Sequence, residues 1–173
     1  MANEEPGSSP FFQLLNEINR AAENRLPLVA LGMVVALPDI CVSLISEDGR
    51  SDGARYKAWC ADNLAQVFAQ LTPDDLYSMR CGVLHNGRVG DLKNGLTKAI
   101  FMLPWNGNVF HDSRLGDAYF YNAVEFVRAL TDAVHKWYQA NRDDPTVRAN
   151  TERLMQYRPD GFGRYVQGIA VIA

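Results

Sequence analysis

Cysteine is scarce in this sequence, and the few thiols are not arranged for metal binding. The chain holds Cys41, Cys60 and Cys81, an odd number without the close spacing of metal ligands. Reduced thiols in a bacterial-type cytoplasm are the simplest explanation. The first residues, 1–10, are polar and acidic where a secretory signal would be basic and then apolar. We therefore expect a cytoplasmic protein with no metal site and no cofactor.

A surplus of positive charge is also missing. The chain has 17 lysines and arginines against 20 aspartates and glutamates, which gives a formal net charge of -3. This balance excludes binding of duplex nucleic acid through bulk charge, because such proteins usually carry a basic surplus. One window, 76–98, runs against the average with four basic residues and one acidic residue: Arg80, Arg88, Lys93, Lys98 and Asp91. The local excess of positive charge in this window is modest and suits the binding of a phosphate group.

The motifs of several large enzyme classes are absent as well. There is no G-x-x-x-x-G-K-[ST] loop, no G-x-G-x-x-G turn, no G-x-S-x-G elbow and no H-E-x-x-H helix. Their absence argues against a standard P-loop hydrolase, dinucleotide enzyme, serine hydrolase or zincin. The composition, with 47% hydrophobic and 21% charged residues, is that of an ordinary globular protein.

One long apolar stretch, 26–45, is about the length of a membrane-spanning helix. It contains Pro27, Pro38 and Asp39, and the uninterrupted apolar run ends at Leu37. Proline in a helix interior removes a hydrogen bond and kinks or ends the helix. We therefore expect a buried segment that forms one kinked helix or two short ones, in a soluble protein that does not contact a membrane.

The hydrophobic periodicity predicts a mainly α protein. We expect a flexible leader at 1–8 and a single domain at 9–173, with a tail from about residue 160. Helical spacing of apolar residues predicts helices at about 10–24, 54–70, 73–86, 118–140 and 145–157. The dipeptide Asn106-Gly107 lies between two apolar runs, which predicts a small β-hairpin near 99–111.

The helix at 73–86 is the most informative element. Thr72 has the chemistry of a helix cap, Pro73 suits the first position, and Gly87 suits the end. At about 100° per residue, one broad face groups Leu76, Tyr77, Arg80, Cys81, Val83 and Leu84. The opposite face then groups Asp74, Asp75, Ser78, Gly82 and Asn86.

Arg80 lies near the middle of the apolar face, where an unpaired guanidinium is costly to bury. Two explanations follow. Either Arg80 pairs with an acid of its own chain as a structural arginine, or the face is an interface or cleft that receives an anion.

Arg80 and His85 together spell R-x4-H on one helix, followed by Asn86-Gly87. This motif resembles the signature of the HEPN superfamily, helical domains of prokaryotic toxins, phage-defence proteins and CRISPR effectors. The resemblance covers roughly residues 54–140, with an amphipathic helix before the motif and a long helix after it. It implies a HEPN-like helical bundle that forms a homodimer through the motif helix.

The resemblance also implies metal-independent cleavage of RNA, in which the ribose 2′-hydroxyl attacks the adjacent phosphate. His85 carries the proton-transfer role, and Arg80 stabilises the charge on the phosphorane. On an ideal helix these two positions lie about 140° apart, so we expect them not to converge on one phosphate within one subunit. Tyr77, Asn86 and Arg88 are the expected substrate-binding residues. An RNA substrate and an antitoxin or other regulator protein are the expected partners.

Cys81 departs from the family pattern, because many active members carry a polar residue directly after the arginine. A thiol is a poor substitute for orienting the arginine or the phosphate. The alternative is therefore a catalytically inactive HEPN-like dimer that binds a nucleotide or a protein. A third alternative is a structural helical protein in which Arg80 is simply ion-paired.

The remaining candidates have simpler interpretations. His111 and Asp112 could approach the site, but residues of this kind are more often polar groups of a surface turn. We expect His135 to be solvated on the wet face of its helix, and Trp59, Trp137 and Tyr138 to pack in the core. Cys41 and Cys60 are expected to be small core residues.

Overall fold

The computed structural model describes residues 9–89, 98–105 and 107–173. The expected leader at 1–8 lies outside the described residues, and so do Asp91 and Lys93 of the basic window. Within the described part, the fold is mainly α with small sheets, as the periodicity predicts.

Seven helices run through the described residues, and proline stands near the start of five of them. Proline suits that position because the first N–H groups of a helix have no intrahelical partner. The helices are α1 (Pro10–Glu23), α2 (Pro27–Val34), α3 (Leu37–Ile45), α4 (Gly53–Leu64), α5 (Pro73–Asn86), α6 (Ala123–Asn141) and α7 (Pro145–Thr151).

Helix α5 begins and ends where its sequence predicts. The Thr72 hydroxyl accepts a hydrogen bond from the Asp75 backbone, and the Asp75 carboxylate accepts one from the Thr72 backbone, which completes a capping box. At the other end Gly87 has a φ of 64°, a left-handed conformation that glycine adopts at little cost. These local signals fix both ends of the helix that carries Arg80 and His85.

The long apolar stretch forms two short helices, as expected, but the expectation of a buried segment is wrong for its start, where Leu28 is 84% and Val29 is 57% exposed. Pro27–Ile45 is the one helical stretch in the described residues that is long and apolar enough to cross a membrane by length and composition. It divides into α2 and α3 between Val34 and Leu37. Both helices contribute buried side chains to the core.

The predicted hairpin at 99–111 is wrong. The strand β1 (Lys98–Met102) pairs in parallel with β3 (Ala118–Asn122), and β2 (Ser113–Leu115) pairs antiparallel with β3. The sheet order is therefore β1-β3-β2. The turn signal at Asn106-Gly107 favoured pairing of the two apolar runs on either side of it. Instead, β1 pairs with β3, which lies further along the chain.

Three helix boundaries also differ from prediction, and one of them is the end of α7, which lies at Thr151 instead of about residue 157. Residues 118–122 form β3 rather than the first turns of the long helix, because the Asn122 side chain accepts hydrogen bonds from the first backbone N–H groups of α6 and caps it there. Helix α4 ends at Leu64 instead of about residue 70. The apolar residues beyond it, Val67 and Leu71, pack from a loop.

The core is one cluster of buried side chains to which all seven helices contribute. One part of it is aromatic: Phe126 of α6 stacks on Phe68 at 4.6 Å between ring centroids and meets Phe101 and Tyr121 edge-on. Trp59 and Trp137 form a T-shaped pair, and Tyr138 is buried against Phe11. The predicted core role of the tryptophans and Tyr138 is confirmed.

The expected tail forms a hairpin, here called the C-terminal hairpin (residues 155–173). Its strands β4 (Tyr157–Arg158) and β7 (Val171–Ile172) pair antiparallel, and β5 (Gly161–Phe162) pairs with β6 (Val166–Gln167) nearer the tip. Reciprocal backbone hydrogen bonds between Gln156 and Ala173 close its base.

Candidate active site

The two residues of the R-x4-H motif meet within one chain. The Arg80 Nη1 atom lies 3.0 Å from His85 Nε2. The expectation that a 140° separation keeps them apart is therefore wrong. That angle describes positions on the helix, whereas an arginine side chain is long enough to reach along the helix surface to the next turn.

Arg80 also pairs with an acid of its own chain. Its Nε donates to Asp39 Oδ2 of α3 at 2.5 Å, and the other carboxylate oxygen accepts a hydrogen bond from Ser51 Oγ at 2.7 Å. The prediction that Arg80 pairs with an acid of its own chain is thus confirmed. The pair is not sealed from water, because 22% of the Arg80 side chain and 18% of the Asp39 side chain are exposed.

The electrostatics keep Arg80 charged. Burial lowers the pKa of the Arg80 guanidinium, but the hydrogen bond and charge of Asp39 outweigh that effect, so the pKa lies above its ordinary value. Arginine only donates hydrogen bonds. As a hydrogen bond, the 3.0 Å contact therefore has Arg80 Nη1 as its donor and His85 Nε2 as its acceptor.

The inward face of α5 is not the one that the helical angles predict. Asp75, Leu76, Met79 and Gly82 are buried, whereas Leu84 is exposed. Asp75 tolerates burial because its carboxylate accepts hydrogen bonds from the Thr72 backbone and hydroxyl. The Arg80 face is consequently a half-exposed flank of the helix and not the centre of an apolar surface.

The predicted substrate-binding residues lie around this flank. Tyr77 is half-buried, and its ring lies against Gly53, where an added Cβ would come within 2.7 Å of the tyrosine hydroxyl. Hydrogen bonding to Cys81 raises the pKa of Tyr77, so the phenol is protonated near neutral pH. Asn86 and Arg88 are exposed at the end of the helix.

Cys81, the residue that departs from the family pattern, lies beside the guanidinium. Its Sγ atom is 3.9 Å from Arg80 Nη1, and the side chain is half-exposed. The position that often carries a polar side chain in the family thus contacts the arginine here through a weakly accepting sulfur.

Asp39 and Ser51 are the site residues that sequence reasoning missed. Asp39 left a signal, because it is a lone acid within a long apolar stretch and such a group needs a partner when it is partly buried. Ser51 left none, since it lies in a polar loop among many similar residues. The fold brings Asp39 to Arg80 from another helix, and Ser51 of the following loop contacts Asp39.

The weaker candidates lie elsewhere. Asp112 accepts hydrogen bonds from the Tyr121 hydroxyl at 3.0 Å and from the Ala69 backbone at 3.2 Å, which ties two loops to β3. Burial and the charge of Asp112 raise the pKa of Tyr121, so the phenol remains the donor. His111 packs edge-on against the same tyrosine and lies 3.7 Å from Glu125. None of the contacts described for these residues reaches Arg80 or His85.

The remaining histidine and cysteines are structural. His135 is half-buried against the ring of Phe12, at 4.8 Å between centroids, so the expectation of a solvated side chain is wrong. Cys41 and Cys60 are buried in the core, as expected. Within the described residues, no group of three or more His, Cys, Asp and Glu side chains is arranged to hold a metal ion.

Comparison of the chain with family models, with curated proteins and with solved structures found no match.

Proposed function

We propose that this protein is a HEPN-like, metal-independent endoribonuclease of the toxin or phage-defence type. The observation that carries the proposal is the contact between Arg80 and His85 on the exposed flank of α5. A fixed positive charge and an imidazole lie within one hydrogen bond of each other, which suits a reaction that needs both charge stabilisation and proton transfer.

The reaction follows from the chemistry of these groups. The ribose 2′-oxygen forms a bond to the adjacent phosphorus, the bond from phosphorus to the 5′-oxygen breaks, and a 2′,3′-cyclic phosphate remains. When the Arg80 guanidinium turns to the phosphate, the lone pair of His85 Nε2 is released and accepts the proton of the 2′-hydroxyl, and the departing 5′-oxygen takes a proton from water. Arg80 donates hydrogen bonds to the phosphate oxygens as negative charge builds on them.

Asp39 acts in this proposal as a positioning residue. It holds the Nε side of the guanidinium and leaves Nη1 directed toward His85. A side chain locked by a second hydrogen bond needs less ordering when a phosphate arrives. Ser51 in turn holds the second oxygen of the Asp39 carboxylate.

The proposal includes a homodimer that forms through the motif helix. Two apolar side chains are exposed beside the site. One is Leu84, which follows Val83 on α5. The other is Leu28 of α2, which lies one turn from Gly32, and Gly32 packs near Val83. An isologous interface would bury this patch on both copies. Sedimentation of the wild type tests the assembly, and a monomer at every concentration would contradict it.

The runner-up is an inactive module that binds a nucleotide or a protein through the same surface. Two contacts favour it: Arg80 is already paired with Asp39, and the neighbouring Cys81 offers only a weak sulfur acceptor. In that case the exposed side of Arg80 would hold an anion without any bond being cleaved.

Cleavage of RNA in a buffer with a metal chelator separates the two functions. We expect the wild type to cut RNA and His85→Ala to lose about 10²–10⁴-fold of the rate, because that is the usual contribution of a general acid or base. His135→Ala is the matched control, since His135 packs against Phe12 away from the site. Binding of RNA without cleavage, or equal rates for wild type and His85→Ala, would sink the nuclease proposal.

A further inference from the structure

The C-terminal hairpin exposes aromatic side chains to solvent. Tyr165 is 70% exposed and Phe162 is 40% exposed, and their rings are nearly parallel with centroids 6.0 Å apart. Tyr157 is also exposed on this hairpin. Flat rings presented to solvent are the usual surface on which unpaired bases stack.

Arginines accompany these rings. The guanidinium of Arg158 lies over Phe162 at 4.9 Å, and that of Arg164 lies over Tyr165 at 5.2 Å from the ring centroid. A guanidinium that stacks on a ring keeps its N–H edge available for a phosphate. The Nε atom of Arg158 is buried and has no hydrogen-bond partner among the described residues, whereas Arg164 is exposed and donates a 3.4 Å hydrogen bond to the Tyr165 hydroxyl.

The charge of this segment differs from that of the rest of the chain. Residues 155–173 hold two arginines and one aspartate, whereas the whole chain has a net charge of -3. In the part of the chain that the structure describes, no ion pair joins Arg153, Arg158 or Arg164 to a carboxylate. The hairpin therefore carries the complement of a phosphate backbone on an otherwise acidic protein.

The hairpin is rooted on the helix that carries Asp39. It follows α7, and the Asn150 side chain of α7 donates hydrogen bonds to the backbone carbonyls of Ser43, Leu44 and Ser46 at 2.9 to 3.2 Å. Those carbonyls lie at the end of α3. A nucleic acid strand bound by the hairpin would therefore lie on a segment that is attached, through α7, to the helix that positions Arg80.

We propose that the C-terminal hairpin binds single-stranded RNA, with Tyr165 and Phe162 stacking on bases and Arg164 contacting the phosphate backbone. The proposal rests on the proposed function in taking RNA as the nucleic acid. It adds a second contact surface that acts in binding and not in bond cleavage.

The test is binding of a fluorescent 2′-O-methyl oligonucleotide, which lacks the attacking hydroxyl and cannot be cleaved. A length of about twelve nucleotides is suitable, because single-strand sites commonly take roughly 4–16 nucleotides. We expect Tyr165→Ala to raise the Kd about tenfold or more, since loss of one stacked base has an effect of at least that order. Tyr165→Phe, which keeps the ring, should bind like the wild type.

Arg164→Ala adds a readout that a protein partner would not produce. We expect weaker binding and a salt dependence shallower by about 0.7 in the logarithmic slope, which corresponds to one lost contact to a single-strand phosphate. Gln167→Ala on the same hairpin is the matched control and should leave the Kd unchanged.

Two results would overturn the inference. One is a Kd for Tyr165→Ala equal to that of the wild type, including the case in which neither binds the oligonucleotide. The other is a change in sedimentation of Tyr165→Ala with no change in its Kd, which would show that the hairpin docks on protein. Binding that depends on Tyr165 in a wild type that cuts no RNA would leave the inference standing and reject only the nuclease proposal.

Discussion

Replacing Arg80 with alanine should lower the rate of RNA cleavage by about 10²–10³-fold, the usual effect of removing one donor to a developing anion. The guanidinium is fixed by Asp39 on one side and faces His85 on the other, so its loss removes the positive charge nearest the imidazole. Initial rates on one RNA at saturating concentration measure the effect. Arg80→Lys should retain part of the rate, because lysine keeps the charge but not the planar fork.

Asp39→Asn distinguishes a positioned arginine from a merely structural ion pair. If Asp39 positions Arg80, the variant should lose a large part of the cleavage rate while KM changes little. Its free energy of unfolding should also fall, because the largely buried Arg80 guanidinium loses its charged partner. An unchanged or increased rate would mean that the ion pair with Asp39 withholds Arg80 from the substrate, which favours the inactive module.

Phe126→Ala should lower the free energy of unfolding by about 3–5 kcal/mol, the usual cost of truncating a fully buried phenylalanine. Phe126 is 0% exposed and contacts the rings of Phe68, Phe101 and Tyr121. These rings come from the loop before α5, from β1 and from β3. The cavity that the substitution leaves would therefore weaken the packing of the small sheet against the helices.

Urea unfolding measures this loss, with Phe110→Ala as the control. Phe110 is 66% exposed, so its truncation should change the free energy of unfolding by no more than about 0.5 kcal/mol. Similar losses for the two variants would show that the aromatic cluster does not hold the sheet to the helices as described.

Local signals predicted the motif helix well. The cap at Thr72, the proline after it and Gly87 determine both ends of α5 through contacts within a few residues, and such contacts are readable from the sequence. The division of the apolar stretch near Pro38 is another local effect. Because these helices form as predicted, the motif residues lie on a helix as expected.

Non-local pairing is what the sequence did not reveal. The strand β1 pairs directly with β3, and β2 lies between them in sequence only. The turn signal between two neighbouring runs therefore indicated the wrong partner for β1. Residues 118–122 continued an apolar pattern compatible with a helix, and only the cap at Asn122 separates β3 from α6. Short apolar runs do not distinguish strand from helix by periodicity alone.

Only part of the site was predicted, because one of its contacts joins residues that are far apart in sequence. Arg80 and His85 are close in sequence and share a helix, so their association was visible as a motif. Asp39 is 41 residues from Arg80 and becomes a partner only through the packing of α3 near α5. The 140° between the two helix positions does not keep the side chains apart, because an arginine side chain is long enough to reach the next turn of the helix.

The most direct test of the central claim is the chemistry of the ends that the protein leaves on a substrate with one ribonucleotide in a DNA strand. In the presence of a chelator, we predict that the wild type cuts after that ribonucleotide and leaves a 2′,3′-cyclic phosphate and a 5′-hydroxyl, detected by mass spectrometry. His85→Ala should leave the strand intact over the same time. An intact strand with the wild type, or the same cyclic product at the same rate from His85→Ala, would contradict the assignment of Arg80 and His85 as the reacting pair.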